Sequence, residues 1–591
     1  MLNLREYADT PTLLADYLPW ACLVAPGVVL NKDGSFQTTF KYRGPDLESS
    51  TEEELVSVMA RVNNVLRRFG SGWALFFEAQ RHEVHDYPEA EFPDALSWLI
   101  DQERALQAEE SGARFESAYY LNLLWLPPAD ATGRAEKALI QRAETEDAAT
   151  WRHRLETFQQ HADRVFDLLS TCLAEIGKLT DDETLTYLHS TISIKRHPVV
   201  TPELPVFLDA VLADEPFAGG LEPMIGDAHL RTLTILGFPA STLPGILDEL
   251  NRQGFAYRWA TRFIAMDKAE AEKVLGKKRR HWFAKRKSIA AILKEVMTNE
   301  ASTLLDSDAA NKAADADTAL QELGSDYAGM AYVTATVTVW DGDPAIAAEK
   351  LRLVEKVIQG RDFTVIPEGM NAIEAWLGSL PGHTYANVRQ PPISTINLAH
   401  LIPLSAVWAG PERDEHFGEP PLLYGRTEGS TPFRFSLHPD GSDVGHTLIV
   451  GPTGAGKSVL LALMAMQFRR YEKAQVFAFD FGGSIRCATV ACGGDWQDLA
   501  GALSDDEAAV QLQPLRNIDD IGERAWAQDW LSGLIAREGV TIDPVARDHL
   551  WSALTSLASA PVAERTLTGL SVLLQSTELK QALTPFCLGG P

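Results

Sequence analysis

The chain has 591 residues, enough for roughly three or four domains or for two large ones. Hydrophobic residues make up 45% and charged residues 23%, a globular composition that excludes a fibrous protein and a chain disordered throughout. The net charge of −28 excludes a protein that coats DNA, because affinity for duplex DNA comes mainly from Lys and Arg that neutralise phosphates.

The first region, residues 1–228, is predicted to be mixed α/β. Gly27–Tyr42 alternates in the manner of strands about Asn31–Gly34, a pattern typical of a β-hairpin. Thr51 and Glu54 have capping-box spacing ahead of apolar residues at helical intervals, which predicts a helix. Three further elements are predicted: buried strands at Trp73–Ala79 and Tyr119–Leu126, and a long polar helix over Arg134–Lys178.

The second region, residues 229–400, is predicted to be another α/β lobe of the N-terminal domain. Its predicted strands are Leu230–Leu236, Phe255–Met266, Tyr332–Trp340 and Phe363–Pro367. Its predicted helices are Leu243–Arg252, Lys268–Met297, Pro344–Gln359 and Ala372–Leu380. A loop-rich passage between Pro391 and Pro420 places the boundary to the last domain near residue 401.

A basic cluster, Lys277–Lys287, has seven Lys or Arg in eleven residues of an otherwise acidic chain. Three interpretations stay open. The cluster is a helix face paired with the acidic remainder of the protein, a contact for anionic lipid or a protein partner, or a contact for nucleic acid. Trp282 and Phe283 fit a core role in the first case, and a bilayer interface or a stacked base in the others.

A phosphate loop begins the chemistry of the third region, residues 401–591. Gly451-Pro-Thr-Gly-Ala-Gly-Lys-Ser458 fits GxxxxGK[ST] at every position, between a β-type run, His446–Val450, and an apolar helix, Val459–Phe468. The glycines allow backbone N–H groups to face phosphate, and the helix N-terminus adds a positive dipole end. A Gly-rich turn before a core helix is the alternative, but it gives Lys457 no role.

The loop predicts the ligand and the cofactor, ATP with Mg²⁺. Its nucleotide-binding residues are Gly451, Pro452, Thr453, Gly454, Ala455, Gly456, Lys457 and Ser458. Lys457, the candidate catalytic residue, neutralises β- and γ-oxygens, and Ser458 offers its hydroxyl to Mg²⁺. Asp480 ends a second apolar run, Gln475–Asp480. It is either a Mg²⁺-side carboxylate or a loop cap for the turn at Gly482–Gly483.

The passage Gly445–Ser458 resembles the ATPases of type IV secretion and conjugation machines. Leu18–Gly34, Val476–Gly483 and Gly493–Trp496 are similar to the TrbE-type family of conjugal transfer ATPases, and the likeness covers the whole chain. The resemblance implies an α/β N-terminal domain followed by a RecA-like motor domain. It also implies hexamers or related rings that work with other secretion components at the cytoplasmic face of the inner membrane, powering pilus assembly and substrate transfer.

Location is predicted from apolar length. No stretch approaches the ~18 apolar residues of a membrane span, so a cytoplasmic protein held peripherally at the inner membrane by partners is expected. Five scattered cysteines argue against a disulfide framework and indicate a reducing compartment.

Two other functions stay open beside the conjugation motor: a related DNA-pumping ATPase, and a nucleotide-binding ring scaffold that hydrolyses little. Residues 481–591 contain no apolar run ending in paired acids of the kind that positions an attacking water. The resemblance implies an Asp-Glu pair on a strand beyond Pro591. We therefore expect a C-terminally truncated motor, with weak ATP binding and negligible turnover by residues 1–591 alone.

Overall fold

The computed structural model divides into two compact units, Met1–Ala478 and Phe479–Pro591. It describes residues 13–47, 49–84, 87–110, 112–127, 145–239, 241–285, 319–325, 327–405, 407–427, 429–438, 441–497 and 512–590. Side chains are not described for residues 145–150 and 279–285.

The first unit is built on one large antiparallel sheet of 13 strands among the described residues. The strands are β1 (Trp20–Ala25), β2 (Val28–Asn31), β3 (Phe36–Arg43), β4 (Trp73–Val84), β5 (Arg114–Trp125), β6 (Glu175–Lys178), β7 (Phe217–Ala218), β8 (Met224–Ile225), β9 (Ala228–Gly237), β10 (Tyr257–Ala265), β11 (Met330–Asp341), β12 (Thr364–Pro367) and β13 (Pro392–Ser394). Their main order is β1-β2-β3-β5-β4-β10-β11-β9-β8-β7. A separate hairpin joins β14 (Leu423–Arg426) to β15 (Pro432–Phe435).

The two predicted lobes share this sheet, because β4 of the first pairs with β10 of the second. The register runs from Arg81 opposite Tyr257 to Ala74 opposite Ile264. A buried ion pair reinforces the pairing, with Arg258 Nε 2.5 Å from Glu78 Oε1. Tyr187 donates a hydrogen bond to the other Glu78 oxygen at 2.9 Å, so both oxygens of this buried carboxylate are satisfied.

Helices supply apolar side chains to two large clusters on this sheet. The helices of the first unit are α1 (Leu14–Tyr17), α2 (Glu52–Leu66), α3 (Ala95–Glu110), α4 (Thr145–Ser170), α5 (Asp181–Ile192), α6 (Leu208–Leu212), α7 (Lys268–Lys285), α8 (Pro344–Gln359), α9 (Ala372–Leu377), α10 (Thr395–Leu401) and α11 (Lys457–Phe468). One cluster draws on α2, α4, α8 and α10, and the other on α1, α5, α6 and α9. Leu233 of β9 belongs to the first and Leu230 to the second, so the alternation of the strand serves both faces.

Most predicted elements of residues 13–400 are confirmed. The hairpin, the helix capped by Thr51, the six predicted strands and the helix Pro344–Gln359 are all present, with shifts of a few residues at most strand ends. Two predictions are wrong in part. The helix expected over Arg134–Lys178 ends at Ser170, because Glu175–Lys178 pairs with β3 instead, and its start lies outside the described residues. Leu243–Arg252 is helical only as a 3-10 turn, Asp248–Arg252, since Gly245 takes a φ of +68°.

The second unit is helical in its described residues, 479–497 and 512–590. Its helices are α12 (Arg486–Ala491), α13 (Ile521–Arg537), α14 (Pro544–Ala558), α15 (Leu567–Leu573) and α16 (Thr577–Leu583), with 3-10 turns at Val562–Glu564 and Thr584–Phe586. Leu531, Leu554 and Leu583 are among the fully buried side chains of one shared core. The predicted domain boundaries at 228/229 and 400/401 stay predictions.

A buried acid gives the first unit a specific pH dependence. Burial raises the pKa of Asp248 to about 7, and the nearby Ser405 hydroxyl acts in the opposite direction. An unfolded Asp titrates near ~3.9, so between about pH 4 and 7 the native state holds a proton that the unfolded chain has released. The free energy of unfolding therefore falls as pH rises through this window and levels off above it.

We predict that Asp248→Asn removes this fall and makes the protein more stable than the wild type at pH 8, by about 1–3 kcal/mol. Urea unfolding followed from pH 4.5 to 8 measures the effect. Glu249→Gln, at the neighbouring and half-exposed position, is the matched control and should keep the wild-type profile. An Asp248→Asn profile parallel to that of the wild type would refute the assignment.

Candidate functional site

The loop Gly451–Ser458 curls back on itself ahead of α11. Gly454 and Gly456 both have a φ of +85°, and Gly456 is the residue that caps the helix. A Cβ at either glycine would meet no atom within 4 Å, so glycine is required by the left-handed backbone and not by crowding. The space over both glycines is open, which leaves room for a phosphate group above the loop.

The two polar side chains of the loop stand at the start of α11. Lys457 is the first helical residue, and its Nζ donates to the carbonyl oxygen of Pro452 at 2.8 Å. The ammonium is thereby folded over the loop, with no carboxylate partner among the described residues. Ser458 follows it and is exposed. Both side chains are at a helix N-terminus, where backbone N–H groups and the helix dipole favour an anion.

The inner face of α11 packs on β14 and β15. Met464 joins Leu422, Leu423 and Tyr471 in a small apolar cluster, with Ile449 partly buried against it. Gln467 is fully buried on the same helix. The predicted apolar helix after the loop is therefore confirmed, and it begins two residues earlier, at Lys457.

An ion pair ties the end of α11 to α3 of the N-terminal sheet region. Arg470 Nη2 lies 2.8 Å from Asp101 Oδ1, and the two side chains are only 2% and 1% exposed. Tyr87 donates to the same Asp101 oxygen at 2.8 Å, and Arg470 also donates to the carbonyl of Pro421 at 2.9 Å. Motif analysis missed this pair, because a lone Arg and a lone Asp 369 residues apart carry no local signal.

The two segments flanking α11 do not form the expected strands. His446–Val450 and the first-unit part of Gln475–Asp480 lie outside any ladder of the described residues. Leu448 is 88% exposed and Phe477 is 81% exposed, and Val459 and Leu461 of α11 are exposed as well. Apolar strand sequences become strands when a neighbouring strand pairs with them, and no described strand lies alongside these two.

Asp480 belongs to the second unit and holds its own loop. Its Oδ1 accepts from the Gly482 N–H at 2.9 Å, and its Oδ2 accepts from the Ile485 N–H at 3.0 Å and the Ser484 hydroxyl at 3.1 Å. The bonds from the Gly482 and Ile485 N–H groups lower the carboxyl pKa most. This geometry is that of the loop-cap interpretation, and a Mg²⁺-side role for Asp480 stays a prediction.

The basic cluster falls mostly outside the described side chains. Lys277 and Lys278 are exposed on α7, and the backbone of that helix is described to Lys285. The three interpretations of the cluster therefore stay open. No helix within the described stretches of the chain combines the length and the apolar character needed to cross a membrane.

A glycine-rich loop with left-handed glycines, a Lys at the first helical position and a Ser beside it define the class of phosphate-binding P-loop sites. Comparison with known proteins adds the family. Residues 27–133 match the family model described as the N-terminal domain of the type IV secretion system ATPase VirB4/TrbE.

Three relatives cover most of the chain. It is 35% identical over its full length to the conjugal transfer protein TrbE of Rhizobium radiobacter, and spans 74% of that protein. It is 39% identical, over 69% of its length, to a probable conjugal transfer protein TrbE of Sinorhizobium fredii, of which 61% is covered. The type IV secretion system protein virB4 of Bartonella henselae is 22% identical over 96% of this chain and 70% of its own length. The chain belongs to the VirB4/TrbE family of type IV secretion system ATPases.

We predict that Asp101→Ala loosens the helix that carries the loop. The substitution leaves the buried Arg470 guanidinium without its carboxylate, which costs about 3–5 kcal/mol in comparable buried pairs. Faster amide hydrogen exchange across α11, together with a lower unfolding midpoint in urea, measures the effect. Glu103→Ala, at an exposed position on the same helix α3, is the control. Unchanged exchange in α11 would show that the pair does not hold the helix in place.

Proposed function

We propose that this chain binds ATP with Mg²⁺ at Gly451–Ser458 and acts as the motor of a type IV secretion or conjugal transfer apparatus. The observation that carries the proposal is the open, left-handed loop at the N-terminus of α11, in a chain of the VirB4/TrbE ATPase family. In this proposal ATP hydrolysis drives pilus assembly and substrate transfer.

The loop residues divide the work of binding. Backbone N–H groups from Gly451 to Gly456 would surround the β-phosphate, since the two left-handed glycines turn the chain about an open space. Lys457 would exchange the neutral Pro452 carbonyl for phosphate oxygens, a stronger charge-assisted contact. Ser458 would ligate Mg²⁺, whose positive charge offsets that of the phosphates.

The proposal extends to architecture and place. We assign residues 401–591 to a RecA-like P-loop domain, supported by the confirmed loop helix and by family membership. The exposed apolar segments on either side of α11 have the composition of strands in such a sheet. A hexameric or related ring at the cytoplasmic face of the inner membrane, held there by other secretion components, fits a family whose members are named as parts of a secretion system.

We predict that Lys457→Ala weakens ATP binding by at least about tenfold while the fold is kept, because a loop charge is lost and no core contact is. Fluorescent ATP-analogue titration with Mg²⁺ measures the affinity, and circular dichroism checks the fold. The control is Lys473→Ala, which removes an exposed lysine just after α11. Equal affinities in the two variants would remove Lys457 from the site.

Turnover by the isolated chain is predicted to be slow. Hydrolysis needs a carboxylate that positions water and often an Arg from a neighbouring subunit. Asp480 is the residue proposed for the metal side, and its oxygens already accept three hydrogen bonds within their own loop. Release of phosphate under multiple-turnover conditions, with and without DNA, tests this. Robust turnover would promote Asp480 to the catalytic set, and steep salt-sensitive stimulation by DNA would favour a DNA pump.

A further inference from the structure

Two histidines and an aspartate meet far from the phosphate loop, in the helical layer formed by α5 and α6. His189 lies in the last turn of α5, His197 in the segment that follows it, and Asp214 just after α6. One ligand atom from each residue lies within 4.8 Å of the other two. The spacing in sequence matches no common metal motif, so this cluster is visible only in the fold.

The buried member of the cluster has unmet bonding capacity. His189 is 2% exposed, and neither of its ring nitrogens makes a hydrogen bond. Its Nε2 lies 3.1 Å from Asp214 Oδ2, close enough for an ion pair but without hydrogen-bond alignment. Buried polar atoms nearly always have a partner, so a pair of bare imidazole nitrogens beside a carboxylate calls for one.

The second histidine argues against a simple ion pair. The rings of His189 and His197 lie 4.4 Å apart between centroids, so two imidazolium charges there would repel each other. Neutral imidazoles carry lone pairs, and two of them with one carboxylate form a common donor set for Zn²⁺. An ion pair with Asp214 would use one nitrogen of His189 and leave His197 without a role.

The segment that carries His197 is fixed on both sides of it. Glu215 accepts from the Ser193 hydroxyl at 2.8 Å and from the Ile194 N–H at 3.1 Å. Beyond His197, the Val199 N–H donates to the Thr186 hydroxyl of α5 at 2.9 Å. These bonds bring His197 back over α5, so the ligands are gathered by the fold and need only a small inward movement of the two exposed side chains to reach ~2.0–2.1 Å from one ion.

We propose that His189, His197 and Asp214 form a binding site for a divalent transition metal of the Zn²⁺ class. The ion would join the end of α5, the following segment and the end of α6, with water completing a tetrahedral shell. Its role would be structural, as a clamp on this layer of the N-terminal domain, independent of the nucleotide at Lys457. Since the ligands bind as neutral imidazole and carboxylate, binding would weaken as pH falls below ~6.5.

The test uses the full chain, free of any histidine tag and stripped of metal, titrated with Co²⁺ as a visible probe and then with Zn²⁺. His197→Ala and Asp214→Asn are the variants, because both positions are exposed and their loss should leave the fold intact. His153→Ala removes an exposed histidine elsewhere, on α4, and is the matched control. Circular dichroism verifies the fold of each protein.

The expected result is one Co²⁺ per wild-type chain with the absorption of a tetrahedral ion, displaced by Zn²⁺. Each ligand variant should weaken binding by more than about tenfold, and the control should not. Zn²⁺ should also slow amide hydrogen exchange at Ile194 and Val199 in the wild type and the control, and not in the ligand variants. No Co²⁺ signal in the wild type, or equal affinity in all four proteins, would overturn the site and leave an ion pair between His189 and Asp214.

Discussion

The pairing of β4 with β10 is the constraint on which the first unit depends. It joins two sets of strands that are separate in sequence into one sheet, and every helix that packs on both halves relies on that continuity. A buried Glu78 and a buried Arg258 face each other across this line. Each is tolerable in the interior only because the other is present, so the ion pair favours this register over any slipped alternative.

The phosphate loop uses this sheet region as a foundation. Its helix α11 touches α3 through a buried ion pair and covers the β14–β15 hairpin with one apolar face. Nucleotide binding at the N-terminus of α11 and the packing of the N-terminal domain are therefore mechanically connected within one compact unit. The other face of the helix, with Val459 and Leu461, is exposed and has the composition of an interior surface.

Local patterns were sufficient to predict much of this molecule. Turn chemistry at Asn31–Gly34, capping at Thr51 and helical spacing over Pro344–Gln359 each depend on neighbours in sequence, and the structure has all three elements. The loop at Gly451–Ser458 was found in the same way, because a phosphate-binding turn is encoded in eight consecutive residues.

Features that depend on distant partners escaped prediction. Glu175–Lys178 has the pattern of a helix end until β3 offers it a strand edge. His446–Val450 has the pattern of a strand, yet sequence does not supply the neighbour with which it would pair. Arg470 with Asp101, and His189 with His197 and Asp214, are brought together by the fold alone.

The seam between β4 and β10 also sets a timetable. Arg81 and its partner Tyr257 are about 175 residues apart in the chain. At the usual pace of ribosomes, β4 emerges roughly 10–35 s before its neighbour exists. For that interval one edge of β4 is open to chance partners, and the charges of Glu78 and Arg81 make it a poor template for them. The same carboxylate that later anchors the finished sheet thus protects the nascent strand while it waits.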